Sequence, residues 1–296
     1  MTGSVPAIST ARLKLGVAVS GADAKAAALD AFSRSVGETP SWVMAYFDFG
    51  QPPPMAMLKS LAANEQTMVI SWEPWKWGAG SVQPNFRTRN IADGRFDTYL
   101  TAWATALAHW KRPVYLRLGQ EMNLSNYPWT DGSNGNAVGD YVSAWRHVHD
   151  LFDRAGASNV SWVWSPNVPT RGSQPLSEVF PGRKYVDVLA LDGYNWGTTQ
   201  SWSGWVDPCR LFGPGLSELR SLAPGLPLVI AETGCAESGG DKALWSKQLV
   251  DYLSRQSDVV GLIMFNQNKE VDWRIDSSPS ALAAFAEAIR LRGHGR

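Results

Sequence analysis

The sequence has few charged residues and no excess of either sign. Of 296 residues, 18% are charged, and 27 Lys and Arg balance 27 Asp and Glu to a net charge of zero. No basic block stands out, so the composition argues against nucleic acid, an anionic membrane surface or a polyanionic substrate as the partner. No stretch approaches the roughly 20 consecutive apolar residues of a membrane helix. We therefore expect neither a nucleic-acid partner nor a membrane.

Cysteine and histidine are also scarce. Cys209 and Cys235 are the two cysteines, too few for a disulfide scaffold and without the spacing of a zinc site. His147 and His149 lie two apart on a predicted helix, where they point in different directions and cannot chelate one ion. The sequence therefore predicts no metal and no cofactor. A single disulfide between Cys209 and Cys235 stays open, because strand-end loops could bring their Cα atoms within about 4.4–6.8 Å.

The N-terminal segment is small, polar and contains proline, and it lacks the apolar core of a signal peptide. We expect a flexible segment at residues 1–10, one folded domain at 11–292 and a tail at 293–296. The expected protein is a monomer that is secreted or periplasmic and has lost its signal peptide. A cytoplasmic location stays open as the alternative.

Short apolar runs alternate with segments of helical periodicity along the whole chain. The predicted strands are 13–19, 42–47, 67–72, 113–118, 160–164, 186–191, 228–231 and 259–265. The predicted helices are 22–36, 55–63, 96–109, 138–155, 176–180, 216–223, 241–254 and 280–291. Eight such units predict a single (β/α)₈ TIM barrel. The alternative, a doubly wound open sheet, would want a glycine-rich phosphate turn, and Gly16 to Gly21 lacks that spacing.

Active sites of such barrels lie at the carboxyl ends of the strands. The polar residues at the predicted strand ends are mostly carboxylates, and the set comprises Asp48, Glu73, Gln120, Glu121, Ser165, Asp192, Tyr194, Glu232 and Asn266. No histidine falls at a strand end and no nucleophile elbow is present, which disfavours a Ser or Cys hydrolase. Carboxylates without other catalytic groups fit glycoside hydrolysis.

Tryptophan is abundant, with 15 residues in the chain. Nine of them fall at or just after predicted strand ends: Trp72, Trp75, Trp77, Trp129, Trp164, Trp196, Trp202, Trp205 and Trp273. Indole faces stack on the apolar C–H faces of sugar rings without needing charge. This pattern indicates a neutral β-linked polysaccharide or oligosaccharide as the partner.

One segment carries a family resemblance. It reads Tyr115-Leu-Arg-Leu-Gly-Gln-Glu-Met-Asn-Leu-Ser-Asn-Tyr-Pro-Trp129. This resembles the acid/base segment of glycoside hydrolase family 26, whose pattern is an Arg, then His-Glu-Met-Asn-Gly, then an aromatic–Trp pair. Segments 144–148, 162–167, 186–195, 229–234 and 265–274 are similar to family segments in the family's order, so the resemblance covers roughly residues 40 to 280.

The resemblance implies a retaining β-glycanase with its active site at strands four and seven. Glu121 matches the general acid/base and Glu232 the nucleophile. Beside them we expect Tyr194 to hold the Glu232 carboxylate by a hydrogen bond, and Gln120 to contact a sugar hydroxyl. The aromatic residues expected to bind substrate are Trp72, Trp75, Trp129, Trp164, Trp196, Phe265 and Trp273.

Other strand-end charges have structural interpretations. Arg117 lies on the same strand face as Glu121, either as a charge partner below the carboxylates or in an ion pair inside the barrel. Asp48, Glu73 and Asp192 are expected to bind hydroxyls or to pair with Lys76 or another cation.

The chain departs from the family pattern at Gln120, where His is usual, and at Leu124, where Gly is usual. Both flank Glu121, so they bear on substrate preference. The predicted substrate is β-1,4-mannan. Mixed-linkage β-1,3-1,4-glucan and a bacterial exopolysaccharide are alternatives with the same chemistry, and a catalytically silent polysaccharide-binding barrel is the alternative of another class.

Overall fold

The computed structural model describes residues 12–19 and 25–293. The predicted N-terminal segment 1–10, the start of the first predicted helix and residues 294–296 of the predicted tail lie outside them. The boundaries predicted for the catalytic domain stay a prediction.

Eight parallel strands close into a barrel in chain order. They are β1 Lys14–Val19, β2 Trp42–Asp48, β3 Thr67–Glu73, β4 Val114–Leu118, β5 Val160–Trp164, β6 Val188–Asn195, β7 Leu228–Cys235 and β8 Val259–Asn266. The predicted (β/α)₈ fold is confirmed. Each strand matches a predicted apolar run, and β6 and β7 extend four residues further, through Tyr194 and Glu232.

Helices follow the strands. Within the described ranges they are α1 Lys25–Val36, α2 Met55–Ala63, α3 Thr88–Ala92, α4 Asp97–Trp110, α5 Asp140–Arg154, α6 Leu176–Val179, α7 Pro208–Leu222, α8 Lys242–Ser254 and α9 Pro279–Leu291. Two 3₁₀ helices span Pro84–Phe86 and Arg183–Tyr185. No helix of this part of the chain has both the length and the apolar character needed to cross a membrane.

The chain forms two compact units. The central unit comprises Ser41–Asp192 and Pro214–Leu226, and the terminal unit comprises the described residues up to Pro40, Gly193–Gly213 and those from Pro227. In the central unit β2 to β6 pair in order, with Asp48 opposite Glu73 and Trp72 opposite Leu118. In the terminal unit β8 pairs with β7 and β1.

Helix α5 shows how the sequence builds the layer outside the barrel. Its apolar residues form one buried stripe, with Tyr141, Trp145 and Phe152 among the buried side chains. Asp131 fixes the start of the helix, because its carboxylate accepts hydrogen bonds from the backbone N–H groups of Gly139 at 2.7 Å and Tyr141 at 2.9 Å. Burial raises the pKa of Asp131 despite these bonds.

Helix α7 begins eight residues earlier than the predicted start at residue 216. Gly213, Pro214 and Gly215 look like a helix boundary in sequence, yet all three lie inside the helix. Gly215 is required by packing, since a Cβ there would lie 2.7 Å from Cδ2 of Leu191. The glycine marks a close approach of α7 to β6.

Candidate active site

Glu121 lies just beyond the end of β4, in an unusual backbone conformation. Gly119 has φ +55° and Glu121 has φ +53°. For a non-glycine residue this left-handed conformation costs about 1–2 kcal/mol. It is held by the Glu121 N–H, which donates to the Ser165 carbonyl at 2.8 Å. Such strain concentrates at functional sites, and here it directs a carboxylate that is only 7% exposed.

Asn167 donates from Nδ2 to Oε1 of Glu121 at 2.6 Å. Asn123 fixes Asn167 in turn, because its side chain accepts from the Asn167 N–H and donates to the Asn167 carbonyl, both at 2.9 Å. The sequence reasoning named neither asparagine as a site residue. Their signal was position, since Asn123 follows Glu121 by two residues and Asn167 follows Ser165 at the end of β5 by two.

A buried polar network lies inside the central unit. Arg117 is fully buried and pairs with Asp192 at 2.8 Å. Its guanidinium also donates to Ser71 and Ser165, and Ser165 donates to Asp192 at 2.8 Å. The ion pair inside the barrel is confirmed, and Asp192 is paired with Arg117 and not with Lys76.

Gln120 is 2% exposed, and its amide is held at both ends. Nε2 donates to Glu73 at 2.6 Å, and Oε1 accepts from Ser71 at 3.1 Å. The other oxygen of Glu73 accepts from the indole N–H groups of Trp75 and Trp77. We expected Glu73 to bind hydroxyls or to pair with a cation. Its partners are instead neutral N–H groups, and the binding of hydroxyls stays a prediction.

Asp48 also binds N–H groups. Its carboxylate accepts from the backbone N–H groups of Gly50 and Trp77, each at 2.9 Å. It therefore shapes the loops after β2 and β3.

In the terminal unit Glu232 lies in β7, within an irregularity of the pairing with β8 between Ile230 and Thr233. Bulges of this kind re-aim side chains beside active sites. Glu232 is 7% exposed, and Oε2 accepts a hydrogen bond from the Tyr194 hydroxyl at 2.7 Å. The predicted Tyr194 hydrogen bond is present.

Trp273 supports Tyr194 from the loop after β8. The two ring centroids are 4.8 Å apart, and Phe265 approaches the Tyr194 ring edge-on at 5.8 Å. Gly234, two residues beyond Glu232, makes room, since a Cβ there would lie 2.9 Å from the Trp273 Cβ. In the Glu-Thr-Gly sequence, Glu232 is thus the candidate nucleophile, and Gly234 leaves the space that Trp273 fills.

Lys242, the first residue of α8, fixes the loop that carries Trp273. Its ammonium group donates to the carbonyls of Asp272 and Arg274 and to the Ser277 hydroxyl, at 3.4, 2.7 and 2.7 Å. Burial lowers the pKa of Lys242. Asp272 forms an ion pair with Arg274 in the same loop at 2.6 Å, which is a further contact that holds the loop.

Comparisons with known proteins identify the family. The model of "Glycosyl hydrolase family 26" matches residues 89–225. Endoglucanase H of Acetivibrio thermocellus is 37% identical over 255 residues, which cover 84% of this chain and 26% of that protein. The chain belongs to glycosyl hydrolase family 26. It spans well under half the length of the curated relatives that it matches, at 26%, 38% and 22%.

Solved structures share the fold. The catalytic domain of the endo-β-1,4-mannanase of Bacillus sp. JAMB-750 superposes with a TM-score of 0.73 at 17% identity, covering 94% of this chain and 86% of that one. The YdhT protein of Bacillus subtilis gives a TM-score of 0.69 at 18% identity, covering 94% and 85%.

Two of the tryptophans predicted to bind substrate in this family 26 chain face the helices. Trp72 stacks on Trp103 of α4 with centroids 4.4 Å apart, and Trp164 packs against Phe180; both are fully buried. The prediction is wrong for Trp72 and Trp164. Successive strand residues alternate between faces, and Glu73 and Ser165 occupy the opposite face.

The remaining aromatic residues divide by exposure. Trp129 and Trp273 are 0% and 1% exposed and Phe265 is 6% exposed, so these three residues support the site from within, and their predicted contact with substrate stays a prediction. Trp129 donates its N–H to the Gln120 carbonyl at 2.8 Å and stacks on Tyr127. Trp75 and Trp196 are partly exposed and stay candidates for sugar contacts.

The two cysteines of this family 26 chain are free thiols. Cys209 is exposed, whereas Cys235 is buried and accepts a hydrogen bond from Asn195 at 3.3 Å. Burial raises the pKa of the Cys235 thiol to about 12. A disulfide between them, left open from the sequence, is not formed.

Proposed function

We propose that this chain hydrolyses internal bonds of a neutral β-linked polysaccharide with retention of configuration. The observation that carries the proposal is two buried carboxylates, one just beyond β4 and one in β7 of a family 26 barrel, each of which accepts a hydrogen bond from a side chain. Asn167 donates to Glu121, and Tyr194 donates to Glu232.

The reaction takes two steps. Glu121 protonates the leaving oxygen while Glu232 attacks the anomeric carbon, which forms a covalent glycosyl-enzyme. Glu121 then removes a proton from water, and that water displaces Glu232. This mechanism requires the two carboxyl groups to lie roughly 5–5.5 Å apart, too close for an intervening water. Tyr194 donates to one oxygen of Glu232, and this hydrogen bond orients the carboxylate for attack.

The first substrate to test is a β-glucan. The relative named Endoglucanase H is similar over 84% of this chain, whereas the relative named mannan endo-1,4-beta-mannosidase is 36% identical over 43% of it. Gln120, at a position where the family usually has His, supports a departure from mannan. β-1,4-Mannan, the substrate predicted from the sequence, is the second candidate because the structurally similar proteins include mannanases.

Polymer hydrolysis implies action outside the cell, because polysaccharide chains are too large to enter it. We therefore retain secretion or a periplasmic location as part of the proposal. The monomer predicted from the sequence is a separate part of it.

The test is release of reducing ends from mixed-linkage β-glucan, β-1,4-mannan and β-1,3-xylan. The anomeric configuration of the first product is read by NMR before mutarotation. We expect a β-configured product and a rapid fall in polymer viscosity. Glu121→Ala and Glu232→Ala should each lose at least about 10³-fold in kcat. A folded wild-type protein that binds a glycan without releasing ends would be a silent binding barrel, and an α-configured product would exclude retention.

A further inference from the structure

Glu73 is a buried carboxylate that the two-carboxylate mechanism does not use. It is the last residue of β3 and is 7% exposed. Oε1 accepts the hydrogen bond from Gln120 at 2.6 Å, and Oε2 accepts from Nε1 of Trp75 at 3.0 Å and from Nε1 of Trp77. Three neutral donors thus converge on one carboxylate at the catalytic end of the barrel.

The two indoles lie on a loop whose backbone is already fixed. The backbone N–H of Trp77 donates to the Asp48 carboxylate at 2.9 Å. The Gln83 side chain accepts from the backbone N–H of Lys76 and donates to the Lys76 carbonyl, each at 2.9 Å. Trp75 meets the Trp129 ring edge-on, with centroids 5.7 Å apart. These contacts fix the loop, and the bonds to Glu73 fix the planes of the indole rings.

A fixed indole with an open face is what recognition of a sugar ring requires. Trp77 is 41% exposed although its indole N–H is occupied, so a large part of this residue is open to solvent. A neutral pyranose presents an axial C–H face that packs on such a ring without charge. The chemistry therefore fits a neutral pyranose and not an anionic ligand.

Gln120 connects this loop to the acid/base. It precedes Glu121 in the chain, and Ser71 donates to its carbonyl oxygen, which leaves its NH₂ group facing Glu73. The orientation of this amide thus depends on the same carboxylate that orients the indoles.

We propose that Glu73 is a specificity-determining positioning residue. Its carboxylate holds Trp75 and Trp77 as a stacking platform for one pyranose ring of the polysaccharide, and it ties that platform to Gln120 beside Glu121. The inference rests on the proposed function for its substrate class, and it adds a binding subsite and the residue that organises it.

Glu73→Gln tests the carboxylate at nearly unchanged volume. The new amide at position 73 has one acceptor oxygen and one NH₂ group. Its oxygen can accept from the indoles or from Gln120, and its NH₂ group then faces the other N–H donor without a hydrogen bond. Combining Glu73→Gln with Gln120→Glu restores the match, because the new amide donates to the new carboxylate and accepts from the indoles. Restored affinity in this double variant is an outcome that a general packing defect would not produce.

Binding is measured by calorimetry in the Glu232→Gln background, with β-1,4-linked gluco- and manno-hexasaccharides as probes. We expect Glu73→Gln and Trp77→Phe each to weaken binding of the better hexasaccharide by roughly tenfold, and their combination to be clearly less than additive. Glu178→Gln, at an exposed position of α6, removes the same charge and should leave affinity unchanged. In the active enzyme, Glu73→Gln should raise KM for the hexasaccharide more than it lowers kcat.

Unchanged affinity and KM in a folded Glu73→Gln protein, or strictly additive effects of Glu73→Gln and Trp77→Phe, would overturn the inference while leaving hydrolysis intact. If Glu73→Gln weakens binding while the wild-type protein releases no reducing ends, the inference is supported and the proposed hydrolysis is refuted. Failure of the Glu232→Gln protein to bind either hexasaccharide would count against both.

Discussion

Replacing Tyr194 by Phe removes one hydroxyl and keeps the ring that packs between Phe265 and Trp273. The deleted group donates to Oε2 of Glu232 at 2.7 Å. A hydrogen bond to a charged group contributes about 1.5–3 kcal/mol, which corresponds to about tenfold to about 150-fold in rate if it is lost in the transition state. Because the ring contacts remain, we expect kcat to fall within this range while the melting temperature changes little.

The assay is hydrolysis of an activated aryl β-glycoside, with kcat and KM determined separately. Tyr185→Phe is the matched control, since Tyr185 precedes β6 and Tyr194 lies near its end. Pre-steady-state measurements show which step slows. A Tyr194→Phe enzyme with kcat within twofold of wild type would refute the role assigned to this hydroxyl.

Three further outcomes are expected. Asn167→Ala should move the alkaline limb of kcat/KM to higher pH, because the lost bond favoured ionised Glu121; an unmoved limb would contradict this. In native protein at pH 8, iodoacetamide should modify Cys209 and spare Cys235, whose thiol stays protonated below its raised pKa of about 12, and mass spectrometry in denaturant should show both free without reductant. Gly234→Ala should destabilise the fold by about 1–3 kcal/mol in denaturant titration, since its Cβ would lie 2.9 Å from that of Trp273; no change would mean that the loop yields freely.

The barrel could be predicted from sequence because eight buried parallel strands leave eight apolar runs, each followed by a helical pattern. The positions of Glu121 and Glu232 followed from where those runs end. Trp72 and Trp164 were misplaced because nearness to a strand end was taken as nearness to the site, while alternation along the strand turns them toward the helices.

Its position after Ser165 placed Asn167 near the strand ends, but its hydrogen bond to Glu121 joins the segments after β4 and β5, and no local pattern shows such a contact. The partners of Glu73 were unpredictable for a similar reason. An indole N–H leaves no charge signal in a sequence, whereas Lys76 nearby suggested an ion pair. Hydrogen bonds from neutral donors on separate loops become visible only in the folded structure.

The triple anchor at Lys242 has a consequence for alkaline tolerance. Burial disfavours its charged form, while the carboxylates of Glu237, Asp272 and Asp276 partly offset that effect, and the net result is a folded-state pKa below the ordinary 10.5. Between that lowered pKa and 10.5 the unfolded chain binds more protons than the native one, so the free energy of unfolding rises with pH. The penalty for burying this ammonium is fully present at neutral pH and is relieved in base. The residue that orders the loop beneath Tyr194 therefore favours the native state as the medium becomes alkaline.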